Sequence, residues 1–212
     1  MPAFENLFLV ILVALLAGTA LVLVLGLMRG RGGEARQLYA AAVAARHRLD
    51  FARAEELVAQ LLAADPRDGE AWIERGLAAA YRGDLARAES DLARALALRA
   101  DLAEPITLHR AWVRLLGGRT AEALRLFEEV EAPLLSKFTT DLGTDDPMVA
   151  EWLLHAGALW RAGGDHERAA WARSEARRAA PESRLAEVAD GAQPAAVTGT
   201  AGSSSPSGGS PG

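Results

Sequence analysis

The stretch Asp50-Phe51-Ala52-Arg53-Ala54-Glu55 returns 34 residues later as Asp84-Leu85-Ala86-Arg87-Ala88-Glu89. A third copy aligns residues 118–123 with residues 83–88 at an offset of 35, and a fourth copy begins at Gly164. Self-similarity at a fixed period of roughly 20 to 50 residues is typical of repeat architectures. The sequence therefore predicts about four copies of one small structural unit.

Each unit is predicted to be a pair of helices joined by a tight turn. In the second unit, residues 71–81 and 85–98 carry apolar side chains at three- and four-residue spacing, interrupted by Arg82-Gly83-Asp84. Gly83 can end the first helix in the left-handed conformation, and Asp84 can cap the second helix. A single hairpin cannot bury its apolar face alone, so neighbouring hairpins are expected to stack into an all-α solenoid.

The fourth unit is displaced from the regular period. The interval from Gly118 to Gly164 is 46 residues, so about twelve residues are inserted between the third and fourth turns. We expect this insertion to be a loop over residues 136–146, followed by a helix that opens at Pro147. A short helix over residues 182–188 is expected to cap the last unit.

The pattern resembles the tetratricopeptide repeat, in which small, aromatic and proline residues recur at set positions. The second unit matches at Trp72, Gly76, Ala88 and Ala95, the first at Ala54 and Pro66, and the third at Ala123 and Phe127. The fourth matches at Gly157, Trp160, Ala169, Ala176 and Pro181, whereas Arg110 and Arg114 depart from the family pattern in the third. The resemblance covers residues 35–181 and implies a helical-hairpin solenoid that binds proteins.

In proteins of this family, the first helices of successive units line a concave groove that holds a peptide. By this resemblance the groove residues would be Arg36, Tyr39, Arg46, Ile73, Leu77, Tyr81, Leu108, Trp112, Glu151 and Arg161, with Val43, His47, Glu70, Leu115 and Leu154 beside them. Arginine and aromatic side chains often dominate interfaces, so we expect Tyr39, Tyr81 and Trp112 to contribute most. The alternative for Leu108, Leu115 and Leu154 is packing between units.

An uncharged run over residues 7–28 precedes the repeats. As a helix its 22 residues would rise about 33 Å, enough to span a hydrocarbon core of roughly 30 Å. A cleaved signal peptide fits less well, because the run is long and no basic residue precedes it. Arginines follow the run directly, so the body is predicted to face the cytoplasm, in a single-pass protein of the inner membrane.

These features divide the chain into five parts. They are a short segment 1–6, a transmembrane helix 7–28, a hinge 29–34, a tetratricopeptide-like domain 35–189 and a disordered Gly/Ser/Pro/Ala tail 190–212.

Several classes of function find no support in the sequence. The net charge is −5 and no basic stripe collects on one face, which argues against nucleic-acid binding. The chain has no cysteine, and its four histidines are spread over separate helices or turns, so no metal ligand set, cofactor site or catalytic residue is assigned. We expect a protein that is not an enzyme.

The expected function is a membrane-anchored scaffold that binds a partner protein or peptide with apolar anchors and some acidic character. Two alternatives stay open. The same solenoid could face outwards and assist envelope assembly, or the anchor and repeats could self-associate into a homo-oligomer. Trp171 is expected to project towards solvent, either as a surface contact or as a lid over the last unit.

Overall fold

The structure, a computed structural model, describes residues 33–141 and 147–189. Within those ranges the chain forms eight α-helices and no strand, so it is all-α as expected. No helix in the same ranges is sufficiently long and apolar to cross a bilayer. The predicted anchor 7–28, most of the hinge and the tail 190–212 lie outside the described residues.

The helices follow one another with short connections. Helix α1 includes residues 33–47, α2 is Phe51–Ala64, α3 is Gly69–Tyr81, α4 is Leu85–Leu98, α5 is Ala103–Leu116, α6 is Thr120–Asp141, α7 is Pro147–Ala162 and α8 is His166–Ala179. Two 3₁₀ helices, Ala100–Leu102 and Leu185–Glu187, precede α5 and follow α8. The expected helix at 182–188 is thus a single 3₁₀ turn.

A turn of the same geometry joins the two helices of each of the four pairs. In each turn the middle residue has positive φ, and its N–H donates to the carbonyl oxygen three residues earlier. The N–H of the next residue donates to the carbonyl oxygen five residues before that residue. This is the Schellman arrangement, which satisfies the last carbonyls of a helix. The middle residues are Leu49, Gly83, Gly118 and Gly164, with φ of 64°, 86°, 75° and 90°.

The second helix of three pairs begins with a capping aspartate. Asp50, Asp84 and Asp165 each accept a hydrogen bond from the backbone N–H three residues later, at 3.1, 3.2 and 2.9 Å. Such caps satisfy N–H groups that have no partner within the helix. The repeat seen in the sequence is therefore also a repeat of backbone geometry and of hydrogen bonds.

The pairs pack as two layers. In the inner layer α3 contacts α5 and α5 contacts α7, and each of these three helices also packs against the second helix of its own pair. Close approach within the second pair depends on Gly76, where an added Cβ would lie 3.0 Å from Leu92 Cγ and 3.3 Å from the Ala88 carbonyl oxygen. The main core runs along this inner layer, and a smaller apolar cluster lies between α1, α2 and α3.

The expected loop over residues 136–146 is wrong in its first part. Helix α6 continues through Asp141 and has 22 residues, against 14 in α2, α4 and α8. Val130, Leu134 and Phe138 lie at four-residue spacing and are all buried, so the apolar stripe carries the helix past Pro133. Helix α5 also forms as a full helix despite Arg110 and Arg114.

Candidate functional site

The residues predicted to line a groove do converge on the inner layer, but most are buried. Seven of the ten are at most 7% exposed, namely Arg46, Ile73, Leu77, Tyr81, Leu108, Trp112 and Glu151. Tyr39 is half-buried, and Arg36 and Arg161 are exposed. The expected groove is therefore not open at its centre, because the inner helices pack together there and the segment after α8 covers them. Partner contact by the exposed residues stays a prediction.

Arg46, at the end of α1, is the centre of a buried ion cluster. Its Nε and Nη2 atoms donate to the two carboxylate oxygens of Glu74 at 2.9 and 3.0 Å, and Nη1 donates to Glu151 Oε1. The three side chains are 0%, 3% and 2% exposed. Bidentate pairing suits the planar guanidinium, so one side chain joins helices from the first, second and fourth units.

A chain of hydrogen bonds extends from this cluster into the core. The Tyr81 hydroxyl donates to Glu151 Oε1 at 3.1 Å and lies 2.9 Å from His155 Nε2, and His155 Nδ1 lies 2.9 Å from His109 Nδ1. Because the hydroxyl proton goes to the carboxylate, we infer that His155 Nε2–H donates to Tyr81 and that His155 Nδ1 accepts from His109. The order of donors thus assigns one tautomer to each histidine.

Aromatic rings surround this chain. The Trp112 ring stacks on His155 with centroids 3.9 Å apart and an interplanar angle of 13°, and it also packs against Tyr81 at 4.7 Å. On its other side Tyr81 stacks on Phe51 at 5.7 Å. These rings exclude water from the polar groups, which strengthens their mutual hydrogen bonds and raises the cost of leaving any of them unpaired.

Burial controls the charge of these groups. It lowers the pKa of His109 to about 3, and together with repulsion from His109 and Arg46 it lowers the pKa of His155 well below its usual value. Burial alone would lower the pKa of Arg46, but the charges of Glu151 and Glu74 outweigh that effect and raise it. The site therefore holds an arginine cation beside two neutral imidazoles.

Tyr39 lies at the rim of this cluster and is protonated. Burial, followed by the charges of Glu74 and Glu70, raises the pKa of its hydroxyl above the usual value. Its ring packs against the small cluster between α1, α2 and α3. A half-buried phenol at this edge can offer both apolar contact and a hydrogen bond to a partner.

The segment after α8 lies across the inner face; we call residues 181–189 the C-terminal strap. The Arg184 N–H donates to the His47 carbonyl oxygen at 2.8 Å, and Ser183 Oγ lies 2.9 Å from His47 Nδ1. At the other end, the Trp112 indole N–H donates to the Ala189 carbonyl oxygen at 3.1 Å. The strap thus spans from the first unit to the third and covers two predicted groove residues.

Trp171 covers its own unit instead of projecting freely. It is half-buried, packs against the main core, and its ring lies 6.2 Å from that of Trp160. The Trp160 indole N–H in turn donates to Glu131 Oε1 at 2.8 Å. This placement favours the lid over the exposed surface contact.

The sequence does not predict three parts of the site: Glu74, the pairing of two histidines, and the path of the strap, whose residues 182–188 are expected only to cap the last unit. The sequence places the four histidines on separate helices or turns, but packing brings the rings of His109 and His155 together. The i, i+4 spacing of Glu151 and His155 was the one local signal, since it places both on one face of α7. No group of three or more His, Cys, Asp or Glu side chains suited to a metal ion occurs in residues 33–141 and 147–189.

The chain matches no known protein-family model, and no curated protein is significantly similar to it.

Proposed function

We propose that this protein is a membrane-anchored scaffold whose tetratricopeptide-like hairpins hold another protein at the inner membrane. The observation that carries the proposal is the fourfold recurrence of one helical hairpin with one turn geometry. Stacked hairpins present long continuous surfaces made of successive inner helices, and such surfaces commonly bind extended segments of other proteins. The uncharged run 7–28 would supply the anchor.

The binding surface in this proposal begins at the exposed rim of the inner face. Arg36 and Tyr39 lie on α1 at that rim, and Arg161 lies near the end of α7. Tyr81 and Trp112, the other two aromatics expected to dominate binding, are 6% and 0% exposed. Their replacement would disturb the core, so they do not provide a clean test of binding.

The test is photo-crosslinking of the full chain in native membranes. A photoreactive phenylalanine analogue at position 39 should capture a distinct protein, and Arg36→Glu should reduce its recovery roughly tenfold, as loss of an interface anchor does. The matched control is Arg125→Glu, which reverses an exposed arginine on the outer helix α6. The proposal fails if position 39 captures no protein, or if both charge reversals lower recovery equally.

Membrane attachment and orientation have separate tests. Alkali washing should leave the intact chain in the vesicle fraction, because a spanning helix is held by the hydrocarbon core. Alkaline phosphatase fused after Gly212 should be inactive if the body is cytoplasmic, and activity would place the body on the outer side instead.

A further inference from the structure

We propose that the C-terminal strap is an exchangeable occupant of the inner face, and that a partner segment with the same apolar spacing displaces it. This inference rests on the proposed function, because it names the kind of segment that the scaffold would accept. Three strap side chains face the core: Leu185, Val188 and Ala189 are 0%, 7% and 2% exposed. The occupant would therefore carry apolar residues spaced as in Leu-x-x-Val-Ala.

The strap is held mainly through groups that any peptide possesses. Its backbone N–H at position 184 donates to His47, and its backbone carbonyl at position 189 accepts from the Trp112 indole. One side chain of the strap also takes part, since Ser183 Oγ lies 2.9 Å from His47 Nδ1. Hydrogen bonds to backbone groups do not depend on side-chain identity, so they would accept a different sequence, and the apolar positions would set the specificity.

The charged side chains of the strap point away from the body. Arg184 and Glu187 are both more than half exposed and pair with each other, with Nε–Oε1 and Nη2–Oε2 distances of 3.1 and 2.9 Å. They leave the inward edge apolar, where Leu185, Val188 and Ala189 are buried in the main core. A competing segment would thus be apolar on its inward edge, in contrast to the partly acidic partner expected from the sequence.

Local opening is the first measurement. Hydrogen exchange of the full-length chain should show the Arg184 amide exchanging at least about tenfold faster in Leu185→Ala, while amides of α3 keep their protection. The control is Leu61→Ala, which removes an equally buried leucine from the small cluster between α1, α2 and α3. That control should not accelerate Arg184 selectively.

Exchange in trans is the second measurement. A fluorescent peptide spanning residues 180–190 should bind Leu185→Ala at least about tenfold more tightly than the unaltered chain, whose own strap competes. The same peptide carrying Leu185→Asp should not bind. Ser183→Ala is the milder variant of the chain, since it removes the strap hydroxyl but keeps every apolar contact.

Several results would overturn the proposal. They are loss of protection in α3 together with the strap, failure of both chain variants to fold, and absence of peptide binding to either variant. These outcomes differ from failure of the proposed function. Peptide exchange without any crosslinked partner would refute the scaffold alone, and a crosslinked partner without peptide exchange would refute the strap proposal alone.

Discussion

At the scale of single residues, Arg46 connects three helices through buried ion pairs. It contacts two buried carboxylates, which lie on α3 and α7. Burying charges is costly unless they are paired and hydrogen-bonded, so removing one partner leaves an expensive group behind. Burial of the Glu74 and Glu151 carboxylates therefore depends on their pairing with Arg46.

Replacing Arg46 by methionine should lower the free energy of unfolding by about 3 to 5 kcal/mol, because two carboxylates would stay buried without a cation. Chemical denaturation followed by circular dichroism measures this loss. The control is Arg53→Met, which breaks an exposed pair with Glu56 and should cost less than about 0.5 kcal/mol. Equal losses of unfolding free energy in the two variants would show that the buried ion pairs of Arg46 contribute no more than an exposed pair.

The buried histidines make stability depend on pH. Their pKa values are lower in the folded chain than the usual 6.5, and that of His109 is about 3. Below about pH 6.5 the unfolded chain binds protons on these histidines that the folded chain does not bind, so the free energy of unfolding should fall as pH drops. The expected slope is about 1.4 kcal/mol per pH unit for His109 alone.

Denaturation at pH values between about 7 and 4.5 tests this dependence. His109→Asn should make the slope of stability against pH shallower, whereas His166→Asn, at an exposed position, should keep it. A slope unchanged in His109→Asn would contradict the argument.

At the scale of elements, the Schellman turn is the most regular feature. Three turns use glycine at the position with positive φ, and the first uses Leu49 with φ of 64°. A left-handed conformation costs a non-glycine residue roughly 1 to 2 kcal/mol. Leu49 packs against the main core, which offsets part of that cost.

Two adjacent glycines in the last turn should respond differently to alanine. Gly164→Ala should lower the free energy of unfolding by about 1 kcal/mol, because the φ of this residue is 90°. The loss is not steric, since no atom lies within 4 Å of the new Cβ. Gly163→Ala should be neutral or slightly stabilising, since its Cβ would make only ordinary contacts at 3.5 Å or more. Comparison of thermal unfolding midpoints distinguishes them, and equal losses would refute the conformational argument.

Local signals explain how much of this architecture the sequence could predict. The predicted helix 85–98 coincides with α4, because Asp84 caps its start and apolar spacing runs to Leu98. The resemblance to the tetratricopeptide repeat places Arg46, Tyr81 and Glu151 on one face, but their burial depends on contacts between residues as far apart as 105 positions. No local pattern encodes such contacts, so the closed inner face could not be foreseen.

At the scale of the whole molecule, the first and last units are in direct contact. Arg46 reaches Glu151, and the strap reaches His47. In an open array each unit contacts only its neighbours, and unfolding can begin at one end. Contact between distant units should join the four hairpins into one cooperative body.

Equilibrium denaturation should therefore show a single transition. The five tryptophans lie between positions 72 and 171, so their fluorescence reports on units two to four, while circular dichroism reports on all helices. The two signals should share one midpoint. Early loss of helical signal before any change in fluorescence would show that the first unit unfolds separately.

Arg46 and His47 are consecutive residues at the end of α1. A mechanical load on that single helical turn would be transmitted straight to α7 and to the strap, without passing through the intervening hairpins. Tension along the first helix would thus reach the far end of the protein in one step.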